Sequence, residues 1–141
     1  MLRPLATVPA DYPADGVAII HGVERWSWGE FARRAGQWRA WLADQGVGPD
    51  DLVAFALPNG PDFLALAFGI YAAGATPAPL SPKLPAHELA DILQVMRPAA
   101  FVSAVPDLPP IGASSTRDGR VAAAPSTASR SPSPKRGGEC G

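Results

Sequence analysis

The chain offers few side chains able to do chemistry. Its 141 residues include two histidines, His21 and His87, and one cysteine, Cys140. The histidines form no His-x-x-x-His pair. His21 precedes Gly22 in a turn signal and reads as a turn residue rather than a base. His87 falls in the first turn of an expected helix, where an exposed polar face explains it. A nucleophilic thiol needs an electropositive pocket, so Cys140, next to the last residue of a glycine-rich end, reads as a spectator. Asp50, Asp51 and Asp62 read as turn and helix-cap carboxylates rather than an acid/base pair. Trp26, Trp28, Trp38 and Trp41 are dense enough to stack a ligand, but Trp38 falls on the apolar face of a helical pattern, which favours packing. No Gly-x-Gly-x-x-Gly follows a strand pattern, and Gly-x-x-x-x-Gly-Lys-Ser/Thr and Gly-x-Ser-x-Gly are both missing. The expected set of catalytic, cofactor-binding and metal-ligating residues in this chain is therefore empty.

The elements that would position such residues alternate in type. Val17 to His21 is a short β-branched run, His21-Gly22 a turn, and Glu24 to Ser27 a return strand. Ser27-Trp28-Gly29-Glu30 has the form of a capping box. Phe31, Ala35, Trp38 and Leu42 then share one helix face, and Gly46 stands where a left-handed cap belongs, which predicts a helix from Trp28 to Gln45. Leu52 to Leu57 is continuously apolar, as strands covered on both faces are. Asp62 to Ala73 predicts a helix apolar nearly all round, hence buried against something, with Gly74 ending it. Ala75 to Leu80 is extended, and its prolines place it at an edge. Pro85 opens a third helix at its first position, with Leu89, Ile92, Leu93 and Met96 as its apolar face, and Pro98 stops it. Ala100 to Ser103 is a last strand. The order β-β-α-β-α-β-α-β implies an α/β fold with a largely parallel sheet.

The composition changes near Val105. Residues 105–141 hold 6 Pro, 6 Ser, 5 Gly and none of the 11 aromatic residues, so burial cannot offset ordering entropy and a disordered tail is expected. Residues 1–11 are an N-terminal extension without an apolar run long enough for a signal peptide. The net charge of -1 provides no field for nonspecific nucleic-acid binding. The apolar helix near residue 70 would be about 17 Å long against a ~30 Å hydrocarbon layer, so no membrane span is expected. One cysteine suits a reducing, cytoplasmic setting.

Four segments carry a family resemblance. Trp26-Ser27-Trp28-Gly29-Glu30-Phe31 resembles the first signature of the adenylate-forming acyl-CoA synthetase superfamily, a Thr/Ser-Tyr-x-Glu-Leu pattern opening its first helix. The run from Gly46 to Val53 is similar to its Gly-Val-x-x-Gly-Asp-x-Val turn into a strand. Leu57-Pro58-Asn59-Gly60-Pro61-Asp62-Phe63 resembles its Leu-Pro-Asn-x-x-Glu-Phe step. The run from Ala72 to Pro82 resembles its Lys-Ala-Gly-Ala-x-x-x-Pro-Leu-Asp-Pro signature. Gly74 to Pro77, with Leu84 to Leu89, leans toward acyl- or bile-acid-type CoA ligases rather than amino-acid adenylation domains.

The resemblance covers residues 12–104, the opening part of the family's large N-terminal domain. It implies ATP-dependent activation of a carboxylate to an acyl-adenylate and transfer to a thiol such as CoA, with ATP, magnesium and CoA as cofactors of the intact family. The family's phosphate loop would follow Ala104. Pro125 to Arg136 contains Ser/Thr and Pro134-Lys135 but lacks the interior glycines that let backbone N–H groups approach phosphate, so no such role passes to Lys135. The expectation is a truncated, inactive ligase-like chain without a cofactor of its own. Two other readings stand beside it: an interaction module whose apolar face a protein partner covers, and a self-contained α/β domain for an unknown ligand. The tail's bias also fits a reading frame lost near residue 113. Translating the downstream DNA in the other two frames should then reveal a Ser/Thr-Gly-Thr-Thr-Gly-x-Pro-Lys continuation or a near variant. Its absence from both frames would refute the frameshift.

Overall fold

A computed structural model describes residues 4–103 with side chains and residues 121–123 by backbone alone. Lys135, Cys140 and nearly all of the low-complexity stretch lie outside the described residues. Leu5–Ala10 forms a short 3-10 helix that no sequence periodicity had marked. Strands β1 (Val17–His21) and β2 (Glu24–Ser27) pair antiparallel, with His21 opposite Glu24 across the Gly22-Val23 turn.

Helix α1 (Trp28–Asp44) starts where its free amides find acceptors. The Glu30 amide donates to Ser27 Oγ at 3.1 Å, as expected of the cap. The Trp28 and Gly29 amides donate to the carbonyls of Gly16 and Ala14, each at 2.9 Å. At the other end Gly46 takes φ 76°, and its amide and that of Val47 close on the Ala43 and Leu42 carbonyls.

The second half of the described chain is β3 (Leu52–Ala56), α2 (Pro61–Ala72), β4 (Thr76–Pro79), α3 (Ala86–Met96), β5 (Ala100–Ser103) and β6 (Val121–Ala123). The sheet order is β4-β3-β5-β6 with every pair parallel. The proline-bearing β4 lies on the edge, where missing N–H donors cost least. Strand β6 is an element the sequence pattern did not mark.

Two helix starts shift by a residue. Pro61, without an N–H to satisfy, takes the first position of α2. Asp62 therefore sits in the first turn, where a carboxylate complements the helix dipole, rather than at the cap. Pro85 precedes α3 in extended conformation instead of opening it.

The apolar run of β3 is explained by cover on both faces. Val53, Phe55 and Leu57 join Ala100, Val102, Leu42 of α1 and Leu66 and Ile70 of α2. Ala54, Ala56 and Phe101 face Leu89 and Leu93 of α3. Helices α1 and α2 thus cover one face and α3 the other. A third cluster, Trp26 with Phe31 and Ala65, packs the hairpin on the two helices. Among the described residues no helix is long and apolar enough to cross a membrane.

Candidate functional site

The connections define where a ligand crevice would lie. From the central β3 the chain runs to β4 through α2 on one face, then across to β5 through α3 on the other. Open α/β sheets bind ligands outside the carboxyl ends of strands where such a reversal occurs. Here that edge comprises Leu57 to Gly60 after β3, Leu80 and Ser81 after β4, and Ser103 at the end of β5. Ser103 is buried, only 7% exposed, and the Leu80 amide prolongs the ladder to the Phe55 carbonyl at 2.8 Å.

The structure moves one expected turn residue to this edge. A Cβ placed on Gly60 would lie 3.6 Å from His21 Cε1 and 3.9 Å from Nδ1. The imidazole therefore occupies the space in front of α2. No sequence signal joins these residues, which are 39 positions apart and brought together by the hairpin. His87 is exposed in the first turn of α3, as expected. The Asp51 carboxylate accepts from the Gly48 amide at 2.9 Å, and Asp50 takes the left-handed φ of 66°, so both serve the turn. Trp26 is buried, Trp38 packs against the main core, and Trp28 stacks on Tyr12 with centroids 4.3 Å apart.

The main electrostatic feature lies on α1. Glu30 accepts from Arg33 at 2.8 Å and from Arg34 at 2.7 Å. These bonds, Arg33 first and Arg34 second, hold the Glu30 carboxyl down to about 2. The Arg34 guanidinium also stands 4.4 Å over the Trp26 ring and 3.6 Å from Asp62. Because its folded value is depressed, Glu30 adds stability that is complete above its ordinary value of 4.5 and is lost as pH falls through about 2. Glu30→Gln should accordingly lower the melting midpoint at pH 6 and much less at pH 2. The loss should stay within about 1 kcal/mol for so exposed a pair. A pH-independent difference in melts of the two proteins would contradict this origin.

The described residues of this edge do not by themselves fit a magnesium-bound triphosphate. Among the described residues it offers an amide side chain, hydroxyls and apolar groups, with the His21 ring against Gly60, and no carboxylate for a hard cation. Among the described residues no group of three or more His, Cys, Asp or Glu is placed to hold a metal ion.

Comparison with known proteins agrees with this architecture. The family model described as AMP-binding enzyme matches residues 5–136. A dimodular nonribosomal peptide synthase of Bacillus subtilis (strain 168) is 30% identical over 100 residues, covering 69% of this chain and 4% of that protein. The structure of apo MatB from Rhodopseudomonas palustris superposes with a TM-score of 0.64 at 24% identity, covering 71% of this chain and 21% of that one. VinN with 3-methylaspartate gives 0.63 at 20% identity, covering 70% and 27%. These structural likenesses speak for the fold. The chain spans a small part of the length of each relative. With its doubly covered parallel sheet and a family match over nearly its whole length, the chain belongs to the AMP-binding enzyme family.

Proposed function

We propose that this chain forms the opening α/β layer of an adenylate-forming ligase, and that alone it carries no adenylation activity. The intact reaction would activate a carboxylic acid with ATP to an acyl-adenylate and pass the acyl group to CoA. The observation that carries this reading is the edge at the carboxyl ends of β3, β4 and β5: it has the topology of a ligand crevice, and its described residues bring none of the charged groups a triphosphate needs. Stabilising a transferring phosphate requires preorganised cations and donors. An ATP-bound form of the MatB neighbour supports ATP as the family's nucleotide. CoA as acceptor follows the acyl-CoA leaning of the sequence, whereas the peptide-synthetase relatives favour amino acids as the acids to be tested beside it. A single cysteine supports a cytoplasmic setting.

ATP–pyrophosphate exchange tests the reading, with a panel holding aliphatic, aromatic, bile and amino acids. No exchange above the enzyme-free rate is expected with any acid. Acid-dependent exchange by the purified chain would refute it.

A second reading, a module that docks on or complements a separate ligase chain, is favoured by apolar surface: Leu64 and Tyr71 of α2 and Val17 and Ile20 of β1 are exposed. Light scattering with an apolar dye addresses it. A folded monomer that binds no dye would count against it.

A further inference from the structure

We propose that Arg34 is the positioning residue that seats the β1–β2 hairpin, and with it the His21 ring, on the Gly60 end of α2. The hairpin is a separate two-stranded sheet that shares no ladder with the parallel sheet. Backbone bonds tie its base to α1, from Trp28 and Gly29 to the Gly16 and Ala14 carbonyls, and side-chain packing sets it against α2. The apolar part of that packing, Trp26 on Phe31 and Ala65, is non-directional. Arg34 supplies direction. One guanidinium, its side chain 19% exposed, stands over the Trp26 ring of β2 at 4.4 Å, pairs with Glu30 of its own helix at 2.7 Å, and reaches Asp62 in the first turn of α2 at 3.6 Å. It thus links three elements at once.

The division of labour follows from chemistry. A planar cation can lie flat on an indole while its N–H edge meets carboxylates, which an ammonium cannot do. The stack on buried Trp26 and the short bond to Glu30 are the stronger links. The Asp62 contact is longer, and its carboxylate is 63% exposed, so it orients α2 more than it holds it. Only Pro61 separates Asp62 from Gly60, against which His21 rests. Releasing Arg34 should loosen that seat before it loosens the sheet.

This inference deepens the proposed function, because that end of α2 borders the crevice edge. Its readout needs no nucleotide, so an exchange-active chain would overturn the earlier reading and leave this one standing. The test is NMR on the isotope-labelled 141-residue chain. It follows the His21 imidazole proton and the Gly60 amide, with His87 and the Val53 and Phe101 amides as references. Arg34→Gln should shift the His21 and Gly60 signals and speed exchange of the Leu64 amide, which donates to the Gly60 carbonyl, about tenfold, while the references hold. Arg34→Lys should fall between, keeping charge and losing the guanidinium over the Trp26 ring. Unmoved His21 and Gly60 signals in Arg34→Gln would overturn the proposal, as would their moving in step with Val53 and Phe101. If Arg34→Gln fails to fold, Arg34→Lys provides the readout: shifted His21 and Gly60 signals with unmoved references support the proposal, and unshifted ones overturn it.

Discussion

Gly69→Ala is expected to destabilise the chain by about 2 kcal/mol or more, although alanine is the better helix former. The reason is how closely α1 and α2 approach. A Cβ at Gly69 would stand 2.6 Å from Trp38 Cβ and 2.9 Å from the Ala35 carbonyl oxygen. Neither neighbour is the far end of a flexible side chain, so the two helices must separate. Helix propensity offers only about 1 kcal/mol in return. The same substitution at Gly36, on the exposed face of α1 with nothing within 4 Å of the added carbon, should stabilise by about that amount. Urea unfolding of the two variants therefore moves in opposite directions. A Gly69→Ala midpoint equal to or above that of the parent would contradict the close packing of α1 on α2.

Phe101→Ala should cost about 3–5 kcal/mol. Phe101 is fully buried in β5 and fills the space between the sheet and α3 with Ala54, Ala56, Leu89 and Leu93. Two of these neighbours are alanines on β3, and they have no side chain to swing into the void. Small domains are stable by only ~5–15 kcal/mol, so the variant should be partly unfolded at 37 °C. Calorimetry that found its midpoint within a few degrees of the parent would mean that α3 does not close that face of the sheet.

The two substitutions differ in how visible they were beforehand. Phe101 stood in an apolar run that read plainly as a covered strand, and β3, α1 and β5 were legible from the same kinds of pattern, with Ser27 and Gly46 marking the ends of α1. Gly69 was one small residue within a nearly all-apolar helix. Its importance comes from Trp38, 31 positions away, and periodicity cannot choose which helix faces which. The same holds for Arg34 over Trp26 and for His21 against Gly60: each is a tertiary neighbour of a residue that looked ordinary in its own segment. The 3-10 helix at Leu5–Ala10 is too short to show a period. Pro61 and Pro85 displaced helix starts by one residue because proline is accommodated equally well at the first helical position and just before it. The crevice edge was legible only as a Leu-Pro-Asn step; it took the strand order to show that this step lies at a switch point.

Under the proposed function this chain has part of the fold of an AMP-binding enzyme and does not by itself hold the nucleotide. Titrating magnesium-ATP into the purified chain by calorimetry tests it most directly. No saturable heat is expected at millimolar nucleotide; saturation with a Kd below about 100 µM, equivalent to roughly 5.5 kcal/mol of binding free energy, would contradict the proposed function.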